Sequence, residues 1–131
     1  MPPAHPRSRI IVVDDDLGSR TLAAIVLAEA GHSPVCVPSV KRALERIEQE
    51  EPDLVLTDLL MPESGGLDLI RALSGHAHPP PVLVMTSSDD EALIAQALDL
   101  GAAGVLRKPI PIERLATTVA GVLDAHARAA A

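Results

Sequence analysis

Five short apolar runs recur along the chain at similar intervals, and most of them lack the polar alternation of a strand that faces water on one side. Runs of this kind are typical of strands that are covered on both faces of a sheet. We therefore predict five β-strands, at Ile10–Val13, Val35–Val37, Leu54–Leu56, Val82–Met85 and Gly104–Leu106.

Each apolar run is followed by a segment in which apolar residues return at helical spacing. Start signals support this division, because Ser39 can cap the second segment and the acidic run Asp89-Asp90-Glu91 opens the fourth with favourable charge. The predicted core-facing sets are Leu22, Ile25 and Val26; Val40, Ala43, Leu44 and Ile47; Leu67, Ile70 and Leu73; Leu93, Ala97 and Leu100; and Ile112, Leu115, Val119 and Val122. The order, (βα) five times, predicts an α/β fold with a doubly wound, five-stranded parallel sheet and right-handed crossovers.

The length of 131 residues suits one domain with one core. We expect the domain to span residues 9–127, with a disordered N-terminal tail at 1–8 and a loose, alanine-rich C-terminal tail at 128–131. The absence of a linker-like stretch after the last helix favours a complete single-domain protein.

The composition excludes several kinds of function. Phe, Tyr and Trp are absent and the net charge is −7, so the chain lacks both stacking platforms and a basic stripe for nucleic acid. No apolar run is long enough to cross a bilayer, and the N-terminus does not resemble a signal peptide, which favours a cytoplasmic location. The lone Cys36 is predicted to be a small core residue.

Polar residues follow four of the five predicted strands. They are Asp14-Asp15-Asp16, Thr57-Asp58, Thr86-Ser87-Ser88 and Arg107-Lys108-Pro109. Because ligands bind beyond the carboxyl ends of the strands in open α/β sheets, we expect these groups to share one edge.

Three carboxylates at that edge, from Asp14, Asp15 and Asp58, would need a cation. Two unit charges about 5 Å apart repel by roughly 3 kcal/mol at an effective dielectric constant near 20. Oxygen ligands favour Mg²⁺, which keeps several waters and accepts phosphate oxygens. With the ammonium of Lys108 and the hydroxyl of Thr86, the set predicts a phosphoryl-transfer site with a carboxylate as candidate nucleophile. Asp16 is interpreted as a helix cap.

Four motifs, IIVVDDD, LVLTDLLMP, PVLVMTS and LRKP, resemble in this order and at these separations the receiver domain of response regulators from bacterial two-component signalling systems. The resemblance covers about residues 9–126. It implies a flavodoxin-like strand order of 2-1-3-4-5 and a phosphoacceptor that is not a conventional enzyme.

Carried over by position, the resemblance makes Asp58 the phosphoacceptor for a sensor histidine kinase or phosphotransfer protein. Asp15 would bind Mg²⁺ directly, Asp14 largely through water, and the Leu60 backbone carbonyl would be a further ligand. Thr86 would be the switch hydroxyl and Lys108 the phosphate contact. The Lys108–Pro109 bond is expected to be cis.

The sequence departs from this family at the fifth strand, where Val105 replaces the usual aromatic. Leu60 and Ser88 occupy two variable positions at the mouth of the acid pocket. Similarity to receivers also places a downstream protein partner on the face of the fourth helix, fifth strand and fifth helix, where Ile94 and Leu98 are expected to be partly exposed beside Val105.

Two other classes of function remain open from the sequence. Asp14 and Asp16 have the spacing of the two acids of a haloacid-dehalogenase-type phosphatase, which would leave Asp58 without a role. A receiver-like scaffold that binds a partner without being phosphorylated is the other.

Overall fold

The structure is a computed structural model that describes residues 8–130. Five strands alternate with five helices along the chain. The strands are β1 (Arg9–Val13), β2 (Ser33–Val37), β3 (Leu54–Asp58), β4 (Val82–Thr86) and β5 (Gly104–Arg107). The helices are α1 (Leu17–Glu29), α2 (Val40–Glu50), α3 (Gly66–Leu73), α4 (Glu91–Asp99) and α5 (Ile112–Ala130).

All neighbouring strands pair in parallel, in the order β2-β1-β3-β4-β5. The prediction of an α/β, doubly wound, flavodoxin-like sheet is therefore confirmed. Strand β2 lies on one side of β1, and β3, β4 and β5 follow in order on the other side. The carboxyl ends of β1 and β3 thus flank the point at which strand order reverses, where open sheets of this kind bind ligands.

The sheet has an apolar core on each face, which explains why its strands lack polar alternation. Ile11 and Val13 point into the layer that contains α2, α3 and α4, whereas Ile10 and Val12 point into the layer of α1 and α5. Alternate residues of a strand face opposite sides, so a strand buried on both sides must be apolar throughout. Among the helices described, none combines the length with the apolar character that a membrane span requires.

The predicted inward faces are right for α2 and shifted for α1. In α2, Val40, Ala43 and Ile47 are buried as expected. In α1, Leu22 and Ile25 are exposed, and the buried residues are Ala23, Val26 and Leu27. Helix α1 is apolar on several sides, so two faces one residue apart fit the spacing rule equally well, and packing against the sheet selects one.

Two further members of the predicted core sets are exposed, Leu100 and Ile112. Both lie at helix ends. Leu100 is the C-cap of α4 and Ile112 is the first residue of α5. Helical spacing continues past the last residue that the sheet covers, so periodicity overestimates the buried face there.

The prediction that Cys36 is a core residue is wrong, because it is exposed. It lies on β2, the strand at one edge of the sheet, in which Val37 is the one buried residue. Its thiol donates a hydrogen bond to the carbonyl oxygen of Arg20 at 3.5 Å. The protein atoms around the sulfur still remove part of its solvent, and this partial desolvation raises the pKa of the thiol, an effect that the nearby Arg20 guanidinium opposes.

The expected N-terminal tail lies outside the described residues apart from Ser8, which is buried and accepts a hydrogen bond from the Ser33 amide through its carbonyl oxygen. At the other end, α5 continues to Ala130, into the segment for which a loose tail was expected. Alanine and arginine favour helix, which accounts for the extension.

Candidate functional site

The acidic residues meet at the carboxyl ends of β1 and β3. Asp14 directly follows β1 and Asp58 is the last residue of β3. These two strands are neighbours in the sheet, with Val13 paired to Thr57. One carboxylate oxygen from each of Asp14, Asp15 and Asp58 lies within 4.8 Å of the other two. The sequence-predicted acid cluster is therefore assembled at the point of strand reversal.

Lys108 reaches this cluster from the loop that follows β5. Its Nζ atom donates to Oδ2 of Asp14 at 2.7 Å and to Oδ2 of Asp58 at 3.1 Å. Burial alone would lower the pKa of Lys108, but the hydrogen bonds to Asp14 and Asp58 outweigh that effect and raise it above its usual value. One ammonium thus stays charged between two carboxylates.

Asp14 is the most buried member of the cluster, with 0% of its surface exposed. Its Oδ1 accepts from the Asp16 amide at 2.9 Å while Oδ2 accepts from Lys108. Burying a carboxylate is costly unless it is paired, and here both oxygens have donors. Asp15 is exposed, which leaves its carboxylate accessible to an ion from solvent.

Asp16 has the capping role that the sequence predicts. Its carboxylate accepts from the Ser19 amide at 2.8 Å at the start of α1. That hydrogen bond is the largest cause of the lowered pKa of Asp16. The side chain therefore stabilises the helix N-terminus.

Asp58 is fixed by its own loop as well as by Lys108. Its Oδ1 accepts from the Leu60 amide at 3.2 Å, and its carbonyl oxygen accepts from the Thr57 hydroxyl at 2.9 Å. Side-chain exposure of Asp58 is 14%, so the carboxylate is close to solvent without being free in it. The Leu60 carbonyl remains a predicted metal ligand.

Two glycines let α3 begin close behind Asp58. A Cβ atom on Gly66 would lie 2.9 Å from the carbonyl oxygen of Asp58, and one on Gly65 would overlap the carbonyl oxygen of Leu59. That Leu59 oxygen accepts from the Gly66 amide at 3.0 Å. Close backbone approach is the reason for glycine at both positions.

Thr86 ends β4, beside the strand that carries Asp58. It is nearly fully buried, and its hydroxyl oxygen accepts from the Ser88 amide at 2.9 Å. Its carbonyl oxygen accepts from the Lys108 amide at 2.8 Å, and the Lys108–Pro109 bond is cis as predicted. Backbone contacts thus connect the two residues that were expected to contact a phosphoryl group.

Sequence reasoning missed two residues in the first turns of α1. The Lys108 ammonium lies 3.5 Å from Ser19 Oγ, and the Arg20 guanidinium donates to the carbonyl oxygens of both Asp14 and Asp15. The available signal was position, because the first turns of a helix that follows an acidic strand end lie beside the acids.

The expected exposure of Ile94 is wrong. It is 7% exposed and packs in the core with α2 and α3, whereas Leu98 is 49% exposed. The two residues lie one turn apart on α4, but only the first of them is covered by the core. Val105 is half-buried against the same core. Beside it, Arg107 is exposed and pairs with Glu91 at 2.7 Å.

The raised pKa of Lys108 predicts a specific dependence of stability on alkaline pH. The folded protein holds this proton more tightly than the unfolded chain, so the ion pairs contribute fully below the unfolded-state pKa of about 10.4. Their contribution is lost as the pH rises through the folded-state pKa. We expect wild type to lose more unfolding free energy above about pH 10 than Lys108→Met does.

Urea denaturation followed by circular dichroism measures this loss, since the chain has no Trp or Tyr to report by fluorescence. Lys41→Met removes the other lysine, which is exposed on α2, and should keep the wild-type dependence. Identical pH dependence in wild type and Lys108→Met would contradict the role of the ion pairs.

Comparison with known proteins agrees with this geometry. The model of the response regulator receiver domain family matches residues 10–120. The Response regulator MprA of Mycolicibacterium vanbaalenii is 34% identical over 115 residues, which cover 88% of this chain and 50% of MprA. The DNA-binding response regulator MtrA of Mycobacterium leprae is 32% identical over 113 residues, covering 86% and 50%. The chain spans about half the length of these relatives.

Solved structures show the same fold. The BeF3-activated N-terminal receiver domain of Klebsiella pneumoniae RstA is 33% identical, with a TM-score of 0.81 over 88% of this chain and 97% of that one. Sequence family, strand order and the position of the acid cluster therefore agree, and the chain belongs to the response regulator receiver domain family.

Proposed function

We propose that Asp58 is the phosphoacceptor of a phosphorylation switch. The observation that carries the proposal is the cluster of three carboxylates at the strand-reversal edge, two of which accept hydrogen bonds from the Lys108 ammonium. A site for a phosphorylated donor needs a nucleophile, cations for the phosphoryl oxygens and an open approach. Asp58, Lys108 and the solvent-facing side of the cluster meet these needs.

Asp14, Asp15 and Asp58 suit Mg²⁺ because all three offer oxygen ligands within reach of one another. Asp15 would bind the ion directly and Asp14 largely through water, since both Asp14 oxygens already accept hydrogen bonds. Asp58 and the Leu60 carbonyl complete the proposed set. When bound, Mg²⁺ neutralises carboxylate charge and orients the phosphoryl oxygens.

The proposed transfer makes one bond and breaks one. A carboxylate oxygen of Asp58 attacks the phosphorus of a phosphohistidine, the O–P bond forms, and the P–N bond breaks to release the imidazole of the donor. Lys108 then exchanges its contact with Asp58 Oδ2 for a contact with a phosphoryl oxygen. The Thr86 hydroxyl oxygen accepts a hydrogen bond from the Ser88 amide, which leaves the hydroxyl hydrogen available for donation to another phosphoryl oxygen.

The donor is proposed to be a sensor histidine kinase or phosphotransfer protein, with the chain acting in the cytoplasm. As a receiver, the chain is a phosphoacceptor switch and not a classical enzyme. The proposed output face joins α4, β5 and α5, and it includes Leu98 and Val105 but not the side chain of Ile94, which the core covers. Contact with a downstream protein at this face is the proposed output of the switch.

The phosphatase alternative is not favoured. The carboxylate of Asp16, its proposed second acid, caps α1 through the Ser19 amide. Asp14, its proposed nucleophile, is fully buried and paired with Lys108. A receiver-like scaffold without phosphorylation is the remaining alternative, and the experiment below separates all three.

Incubation with Mg²⁺ and a small acyl phosphate should add one phosphoryl group to the wild-type chain, as read by intact mass. Asp58→Asn should abolish the gain in mass, because the neutral amide lacks the negatively charged oxygen that acts as the nucleophile. Asp99→Asn, which changes an exposed acid at the end of α4, serves as the matched control and should still be phosphorylated. Turnover that depends on Asp14 would indicate the phosphatase, and no gain in wild type would indicate the scaffold.

A second prediction concerns the lifetime of the phosphorylated state. Leu60 is 55% exposed next to Asp58, and an apolar side chain there cannot position a water for attack on the phosphoryl group. We expect Leu60→Asn to lose the phosphoryl group several-fold faster than wild type, measured by intact mass after removal of the donor. Leu98→Asn changes a similarly exposed leucine on α4 and should leave the rate unchanged. An unaltered lifetime in Leu60→Asn would contradict this role.

A further inference from the structure

We propose that Arg20 is a positioning residue that holds the acid pair in the orientation needed for Mg²⁺. Its NH1 atom donates to the carbonyl oxygen of Asp14 at 3.1 Å and to that of Asp15 at 3.3 Å. One guanidinium nitrogen thus holds two consecutive peptide carbonyls. The proposal rests on the proposed metal site, and Arg20 lies outside the four motifs that resemble receivers.

The contacts of Arg20 orient the loop without using a carboxylate oxygen. Fixing the two carbonyls toward α1 restricts rotation of the peptide units that carry the Asp14 and Asp15 side chains. Arg20 is itself fixed, because its amide donates to the carbonyl oxygen of Asp16 at 3.1 Å in the first turn of α1. On the other side, the Asp14 amide donates to the carbonyl oxygen of Val37 at 3.2 Å. The loop is therefore held from both sides.

Arg20 and Lys108 act on the acids in different ways. The Lys108 ammonium contacts the carboxylate oxygens of Asp14 and Asp58 directly, so it shares those oxygens with any bound cation. Arg20 satisfies backbone carbonyls and leaves the carboxylates to face the site. Residues that hold metal ligands in place without touching the metal typically contribute to affinity, and removing one lowers metal affinity by roughly 10–100-fold.

The direction in which Mg²⁺ affinity changes when Arg20 is replaced distinguishes a positioning role from an effect of its charge. A guanidinium close to a cation site repels the cation, so if Arg20 acted through charge alone, removing it would tighten Mg²⁺ binding. If it acts by positioning, removing it weakens binding. Arg20→Lys keeps the charge but replaces the planar fork with a point charge that is suited less well to two adjacent carbonyls.

The experiment is a Mg²⁺ titration of wild type, Arg20→Lys and Arg20→Gln, followed by the backbone amide NMR signals of residues 14–16. If Arg20 acts by positioning, the dissociation constant for Mg²⁺ should be roughly 10-fold larger in both variants. Arg42→Lys and Arg42→Gln, at an exposed position on α2, are matched controls and should bind as wild type does. Tighter binding in Arg20→Gln with no change in Arg20→Lys, or no change in either, would overturn the proposal.

Two added measurements distinguish a failure of the Arg20 role from a failure of the proposed metal site. Asp15→Asn must weaken Mg²⁺ binding strongly, and if it does not, the proposed metal site fails, whatever Arg20 does. Amide hydrogen exchange at Asp16, whose N–H donates to Asp14 Oδ1, is measured without Mg²⁺. It should be faster in both Arg20 variants and unchanged in the Arg42 variants, and unchanged exchange in the Arg20 variants would overturn the positioning role independently of the metal.

Discussion

The ammonium of Lys108, held between the carboxylates of Asp14 and Asp58, is the interaction on which this site depends. It joins three strand ends, because Asp14 follows β1, Asp58 ends β3 and Lys108 follows β5. Without a cation at that place, a fully buried carboxylate would face two others within 4.8 Å. The sheet brings the acids together by its topology, and the lysine ammonium offsets the repulsion between their carboxylates.

Much of the fold and of the site could be predicted from the sequence, for a physical reason. Strands such as Leu54–Asp58 are buried on both sides, so they appear as unbroken apolar runs, and the polar residue that follows each run must lie at the carboxyl edge. Parallel strands bring all of these residues to one edge. The sequence alone therefore predicts that Asp14, Asp58 and Lys108 lie together.

Other features could not be predicted, because they depend on packing and backbone geometry. The apolar residues of α1 fit two inward faces, and only contact with the sheet selects Ala23, Val26 and Leu27. Cys36 lies in an apolar run but on an edge strand, where burial is incomplete. The position of Arg20 in the first turns of α1 places it near the acids, but its contacts with carbonyl oxygens depend on the backbone geometry of the loop, which no side-chain motif encodes.

A double-mutant cycle between Lys108→Met and Asp58→Asn tests the central claim most directly. Unfolding free energies of the four proteins give the coupling between ammonium and carboxylate, which we expect to be about 1–3 kcal/mol without Mg²⁺. Saturating Mg²⁺ should reduce this coupling, because the ion takes over neutralisation of the same carboxylates. Zero coupling without Mg²⁺, or coupling that Mg²⁺ leaves unchanged, would contradict the account.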